Sequence, residues 1–196
     1  KTPEALIGTR YISEGDGQKN CEDIGAPDGT TVMVRNLFYN TPVRRKFLKT
    51  AATEGSYIAD LMEHLALSHP SVSFKFMVNG TVKFHTSGNG DLKEVIYRIY
   101  GRETASELIP LDSQVPGMKL TGYLGKPVMN RSNRSFETYF VNGRYIRSDL
   151  IAKALEEGYK EYLMQHKYPF VVLHFDIDTA YVDVNVHPTK MDVRFT

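Results

Sequence analysis

The sequence predicts an α+β fold in which a mixed β-sheet carries helices on one face. Alternating apolar residues predict a sheet from about residue 70 onward. The strand-like stretches are 72–78, 82–84, 118–124, 135–141, 170–177, 181–186 and 191–195. Apolar residues at helical spacing predict three helices, over 54–68, 91–101 and 148–163. The helical segments fall between strands and can cover the sheet as a second layer.

The hairpins and helix ends of this sheet have specific signals. Asn79-Gly80 and Asn142-Gly143 each follow a strand-like run, and this dipeptide is the strongest short hairpin signal because both residues tolerate a positive φ. Asp91 with Glu94 forms a capping pair, Gly101 closes that helix, and Ser148 caps the last one. These signals set the turns and helix starts of the predicted fold.

The first 40 residues predict two strands of a different sheet. Residues 5–12 and 30–38 have strand-like composition, and a loop rich in Gly, Asp and Asn separates them at 13–29. Thr41 can then cap a helix whose first residue is Pro42, and a basic segment, VRRKFLK, follows. We therefore expect a domain boundary near Thr41, with domains at 1–40 and 41–196.

Composition restricts the class of protein. Of 196 residues, 41% are hydrophobic and 24% are charged, which excludes a disordered or fibrous chain. The longest apolar run is Phe170–Leu173, too short to span a membrane. The lone Cys21 excludes a disulfide framework and any cysteine-based zinc site, and it indicates a reducing, intracellular location. The chain starts at Lys1 without an initiator Met and stops directly after a strand-like VRFT, so we expect it to be a piece of a longer protein.

Positive charge is concentrated in two blocks although the net charge is only +1. Residues 35–49 hold five basic side chains and no acid, and residues 126–147 hold five against Glu137 alone. Such blocks indicate a surface for a polyanion, or a plain solvated face. The basic residues are Arg35, Arg44, Arg45, Lys46 and Lys49 in the first block, and Lys126, Arg131, Arg134, Arg144 and Arg147 in the second.

No self-sufficient active site is evident. The six histidines lack metal-ligand spacing, and neither a GxSxG elbow nor a Walker loop is present. Asp176, Asp178 and Asp183 are explained more simply by capped turns than by a metal, so no metal site is predicted.

Three ordered segments together resemble the MutL family of DNA mismatch repair proteins. They are FYNTPVRRKFLK at 38–49, VNGRYIRS at 141–148 and DVNVHPTKMDVRF at 183–195. The resemblance covers the chain from about Ile7 to Phe195. It implies part of the family's N-terminal ATPase region: residues 1–40 would be the last strands of a GHKL-type nucleotide domain, and 41–196 a transducer domain with a left-handed βαβ crossover, an exception to the usual handedness.

The resemblance also implies roles for particular residues. Gly29 and Thr30 look like the last nucleotide-site block, in which the hydroxyl supports adenine recognition. Lys190 looks like the catalytic lysine that the transducer directs toward the γ-phosphate of ATP, on a turn made rigid by His187-Pro188. The family's blocks for the catalytic Glu, the Mg²⁺-holding Asn and the adenine-reading Asp are not found in this sequence.

For DNA, the resemblance implies phosphate contacts from the basic helix and the second hairpin. Lys46 and Lys49 are three apart and are expected to share a helix face. Arg44 and Arg45 can bind DNA or anchor the domain junction, and Arg144 and Arg147 on the hairpin are further candidates.

The expected function is therefore that of a bacterial MutL-type protein. The intact protein would bind ATP with Mg²⁺, hydrolyse it, form a homodimer, bind DNA and connect a mismatch-recognition protein to strand incision. This chain alone is expected to hold no cofactor and to lack ATPase activity. Two alternatives are the transducer of a type II topoisomerase relative, which the FYNTPVRRKFLK segment disfavours, and a stand-alone basic nucleic-acid-binding module.

Overall fold

The computed structural model describes residues 1–14, 17–183 and 194–195, which form two compact units. The first unit is Lys1–Glu54 and the second is Gly55–Thr196. No helix in the described ranges is long and apolar enough to cross a lipid bilayer.

The first unit contains a β-hairpin and a short helix. Strand β1, Gly8–Glu14, pairs antiparallel with β2, Gln18–Ile24. Helix α1, Pro42–Lys46, begins with proline at its first turn, and helix α2 begins at Ala51 and runs to Ser68. The predicted loop at 13–29 is therefore wrong over β2, and the predicted strand at 30–38 is wrong because the described backbone there forms no strand.

Local backbone geometry explains the missing strand at 30–38, and charge explains the unpredicted strand β2. Asn36 and Phe38 have φ values of 49° and 61°, which extended strand geometry does not allow. In the hairpin, Arg10 of β1 pairs with Glu22 of β2, so a polar sequence that resembles a loop is supported by cross-strand charge.

The second unit is built on a mixed five-stranded sheet in the order β5-β6-β9-β7-β8. Its strands are β5 Leu108–Val115, β6 Met118–Gly125, β7 Glu137–Val141, β8 Arg144–Ile146 and β9 Val171–Ile177. Only β7 and β9 pair parallel within this sheet, and the other neighbours are antiparallel.

The remaining elements of this unit are two small strand pairs and two further helices. Hairpin β3–β4 spans Lys75–Val78 and Thr81–His85, and β10, Val182–Asp183, pairs with β11, Arg194–Phe195. Helix α3 runs from Leu92 to Ser106 and helix α4 from Asp149 to Tyr159. Short 3₁₀ turns occupy Pro127–Met129 and Arg134–Phe136.

Helices cover both faces of the sheet, so the predicted placement on one face is wrong. Successive side chains of a strand point to opposite faces. Phe140 and Val172 pack with residues of α2 and α3, whereas Tyr139 and Leu173 pack with Ile151 of α4. The two cores therefore lie on opposite faces of β7 and β9. The error arose because the apolar run of β9 was not interpreted as a strand buried on both sides, which such runs indicate.

The helix ends of this unit follow their sequence signals. The Asp91 side chain accepts the backbone N–H of Lys93 at 2.8 Å, and the Ser148 hydroxyl accepts that of Ile151 at 3.4 Å. Gly101 has φ 86° and interrupts α3, so the predicted helix end at this residue is confirmed. Helical structure resumes after Gly101 and continues to Ser106. Helix α4 ends at Tyr159, four residues before the predicted end.

We predict that Gly122→Ala destabilises the chain severely. Gly122 in β6 has φ +138°, and an added Cβ would lie 2.1 Å from the carbonyl oxygen of Val172 in β9. The backbone of the two central strands would have to separate, at a cost of about 3 kcal/mol or more. Urea unfolding measures the loss.

The matched control is Gly158→Ala in α4, where an added Cβ meets nothing within 4 Å. This change should stabilise the chain by about 0.5–1 kcal/mol, since alanine is the better helix former. Equal destabilisation by both variants would contradict the steric explanation.

Candidate nucleotide-sensing and DNA-binding residues

The basic segment at 35–49 is exposed and holds its charges without acidic partners among the described residues. Arg44, Arg45 and Lys46 lie on α1, and no ion pair is found for them or for Lys49 in the described part of the chain. All four side chains are solvent exposed. The surface can therefore meet an anion without first breaking a salt bridge.

Lys46 and Lys49 do not share a helix face, so that prediction is wrong. Helix α1 ends at Lys46, and Phe47 N–H already bonds the Arg44 carbonyl in a tighter turn, at 3.1 Å. Lys49 lies between the two helices, because α2 begins at Ala51. The Thr50 hydroxyl accepts the N–H of Thr53 at 3.2 Å, so α2 is capped within two residues of the end of VRRKFLK.

The capping role of Thr41 also differs from the prediction. Thr41 is the residue before α1 and Pro42 takes the first helical position, as predicted. The Thr41 side chain makes no capping hydrogen bond, however. Proline has no N–H to satisfy, so the start of α1 depends on the fixed φ of Pro42 more than on a cap.

The Asn-Gly hairpin holds Arg144 and Arg147 on a rigid base. Asn142 and Gly143 have φ values of 48° and 77°, the left-handed geometry predicted for this turn. Arg144 is exposed at the start of β8, opposite Val141 of β7. Arg147 follows β8, and its interaction with the Tyr145 side chain raises its pKa.

A stacked pair joins this hairpin to helix α2. The rings of His64 and Tyr145 lie 3.8 Å apart at 20°, and His64 Nδ1 is 3.6 Å from the Asp60 carboxylate. Burial lowers the pKa of His64, Asp60 opposes that shift, and the charge of Arg147 adds to it. His64 is therefore neutral near pH 7 and serves as a packing residue rather than as a cation for DNA.

Asn142 fastens the same hairpin to the end of β9. Its amide group donates to the Ile177 carbonyl at 3.0 Å and accepts the Ile177 N–H at 2.9 Å. Its own N–H donates to the Phe175 carbonyl at 2.9 Å. The sequence indicates Asn142 only as a turn residue, and no sequence signal distinguishes this asparagine from Asn79 of the other hairpin.

Gly29 and Thr30 lie in an exposed segment of the first unit that has no regular secondary structure. Gly29 has φ +106°, and an added Cβ there would meet no atom within 4 Å, so the space beside its Cα is open. Its N–H donates to the Lys1 carbonyl at 2.8 Å, and its carbonyl oxygen accepts from the Lys1 amino group at 2.9 Å. Thr30 is also exposed. Lys190, His187 and Pro188 lie outside the described residues.

No group of three or more His, Cys, Asp or Glu side chains suited to a metal ion occurs among the residues whose positions are described. Asp178 instead accepts the backbone N–H of Ala180 at 3.0 Å, in agreement with its interpretation as a turn residue.

Residues 96–196 match the family described as "DNA mismatch repair protein, C-terminal domain". The chain belongs to the MutL family of DNA mismatch repair proteins. It is 56% identical over 195 residues to the DNA mismatch repair protein MutL of the bacterium Agathobacter rectalis, covering 100% of this chain and 30% of that protein. The chain therefore spans about 30% of the length of this curated relative.

Solved structures agree with this assignment. The Aquifex aeolicus MutL ATPase domain complexed with ADP is 26% identical, with a TM-score of 0.63 over 81% of this chain and 57% of that one. The N-terminal domain of a DNA repair protein, 21% identical, has the same fold, with a TM-score of 0.81 over 99% of this chain and 64% of that one. The chain thus corresponds to the ATPase region of its family, and the topoisomerase alternative is excluded.

We predict that Asn142→Gly lowers the free energy of unfolding of the chain although glycine suits the turn. The variant keeps the left-handed backbone but loses the two amide bonds to Ile177, at a net cost of about 1–3 kcal/mol. Asn79→Gly is the matched control because Asn79 has φ 50° at the equivalent hairpin position and its side chain is exposed.

Urea unfolding of both variants measures the difference. Asn79→Gly should change the free energy of unfolding by less than about 0.5 kcal/mol. If Asn142→Gly also changes the free energy of unfolding by less than about 0.5 kcal/mol, the bonds to Ile177 do not stabilise the hairpin.

Proposed function

We propose that this chain supplies the γ-phosphate sensor and a DNA-binding surface to a MutL-type mismatch repair ATPase. The supporting observation is the family match, together with a basic segment that is exposed and without acidic partners among the described residues. In this proposal, residues 1–40 belong to a GHKL-type nucleotide domain, and 41–196 form the transducer domain. The parallel connection from β7 to β9 through β8 and α4 is the proposed left-handed crossover.

The nucleotide role rests on two segments of the chain. The open space beside the Gly29 Cα and the exposed Thr30 suit close approach by a nucleotide, and Thr30 would support adenine recognition. Lys190 would meet the terminal phosphate as a point charge. A contact made only with the γ-phosphate binds ATP more strongly than ADP and so favours the ATP-bound state.

Exposed apolar side chains of the first unit fit the same proposal. Val32, Met33 and Val34 are 81%, 68% and 70% exposed, although their sequence is typical of a buried strand. In a protein of the relatives' length, the rest of the nucleotide domain would cover them.

The DNA role rests on charge without base recognition. Arg44, Arg45, Lys46 and Lys49 would contact phosphates from the first unit, and Arg144 and Arg147 would do so from the hairpin of the second unit. Flexible exposed cations neutralise phosphates and give affinity that depends on salt. The bacterial parent would bind ATP with Mg²⁺, hydrolyse it, form a homodimer in the cytoplasm and connect a mismatch-recognition protein to strand incision.

We predict that Lys46→Glu/Lys49→Glu weakens DNA binding and reduces its salt dependence. Fluorescence anisotropy of a labelled duplex, measured across salt concentrations, should give a logarithmic slope shallower by about two, because two phosphate contacts are lost. The result should not depend on base sequence.

A charge-matched control distinguishes a DNA-binding surface at residues 46–49 from an effect of the chain's overall charge. Lys75→Glu/Lys83→Glu makes the same charge change on exposed residues of β3 and β4 and should keep the slope of the unaltered chain. An equal effect of both double variants would contradict a DNA surface at 46–49, as would absence of binding at low salt.

We predict that Lys190→Ala, in a protein of the relatives' full length, slows ATP turnover by at least about tenfold, since removal of one charge-stabilising group typically costs this much or more. ADP affinity should be unchanged because ADP lacks the γ-phosphate. Phosphate release and ADP titration measure the two quantities.

Lys160→Ala is the control, because Lys160 is exposed and pairs only with Glu157 on the last turn of α4 among the described residues. Unchanged turnover in Lys190→Ala would refute the sensor role and favour the binding-module alternative.

A further inference from the structure

A cavity of about 330 Å³ lies beside β7, β8 and the first turn of α4. Glu137, which is 6% exposed, is one of its lining residues. Ser135, Tyr145 and Ala152 form parts of its wall, and Arg147 and Asp149 also line it. This volume is at the small end of the range for ligand pockets, so it suits a single functional group on a short stem.

Only one of the two carboxylate oxygens of Glu137 accepts a hydrogen bond from the described residues. Oε2 accepts the hydroxyl of Tyr139 at 2.7 Å, and Tyr139 is itself 3% exposed. Oε1 is buried and has no hydrogen-bond partner among the described residues. A buried carboxylate oxygen without a donor is costly, and native structures seldom leave one without a reason.

The nearby cations are already engaged. Arg134 forms a two-point contact with Glu156, Nε to Oε1 at 2.6 Å and Nη2 to Oε2 at 3.0 Å. Arg147 interacts with the side chain of Tyr145. Glu137 therefore lacks a charge partner within salt-bridge distance in the described part of the chain.

We propose that this cavity binds an alkyl ammonium or guanidinium group, which donates to Oε1 of Glu137. Such a group supplies both the missing donor and the missing positive charge, and a buried carboxylate is stable when paired in this way. An anion would be repelled by the charge of the Glu137 carboxylate. The ligand is either a free polyamine or a lysine or arginine side chain of another protein, and the site does not depend on the proposed ATPase or DNA roles.

Protonation of the Glu137 carboxylate competes with binding of this cation. Burial raises the pKa of Glu137 above its ordinary value of 4.5, while the Tyr139 hydroxyl opposes the shift, Glu156 adds to it and Arg134 reduces it. Asp149, Arg147 and Tyr145 are the other titratable groups that line the cavity. Because only the ionised carboxylate pairs with a cation, affinity should fall as pH is lowered through this raised pKa.

The test is a titration of the chain, labelled with ¹⁵N, with n-butylammonium and n-butylguanidinium, followed by NMR. Saturable shift changes confined to residues 134–152 are expected with both cations, and none with butan-1-ol. Glu137→Gln should weaken binding at least about tenfold, equivalent to loss of one paired charge, and should abolish the pH dependence. Glutamine keeps an acceptor for Tyr139, so the fold is expected to survive.

Asp149→Asn is the matched control on the exposed rim, and it should weaken binding less than about threefold, as expected of a screened surface charge. Equal losses in the two variants, retention of binding in Glu137→Gln, or absence of saturation would each overturn the proposal. Spermidine and N-acetyl-lysine methylamide then distinguish the sources. Tighter binding of spermidine supports a free polyamine, and equal or tighter binding of the blocked lysine supports a protein side chain.

Discussion

The second unit depends on the burial of strand β9 between two neighbours and two cores. Val171–Ile177 pairs antiparallel with β6 on one edge and parallel with β7 on the other. Its side chains alternate between the core under α2 and α3 and the core under α4. A parallel pair requires a crossover rather than a tight turn. The 29 residues from 142 to 170 therefore have to return the chain, and within them lie β8 and α4.

The same strand organises the polar groups of the hairpin. Asn142 bonds Ile177 at the end of β9, and Phe140 stacks on His174 with ring centroids 4.7 Å apart. Burial lowers the pKa of His174, so a neutral ring packs against the aromatic face. Hydrogen bonds and ring contacts thus hold the hairpin in place, and these contacts do not involve the side chains of Arg144 and Arg147.

Sequence patterns predicted features that are set locally and failed on those that depend on distant neighbours. Asn79-Gly80, Asn142-Gly143, Asp91 and Ser148 act within a few residues, and all occur as predicted. Residues 30–38 have the apolar content of a strand, but pairing requires another strand, which a local pattern cannot specify. The Glu137 cavity also could not be predicted, because it joins β7, β8 and α4 only after the chain has folded.

The basic segment has little explanation in the stability of its own unit. Cations at a helix C-terminus contribute about 0.3–1 kcal/mol, and α1 has only five residues, three of them basic. Exposed ion pairs would add little, and none is found for these side chains in the described part of the chain. Five like charges within fifteen residues repel one another mildly, so folding alone does not favour their retention. An external polyanion converts that repulsion into attraction, which makes binding the stronger physical reason for the charge.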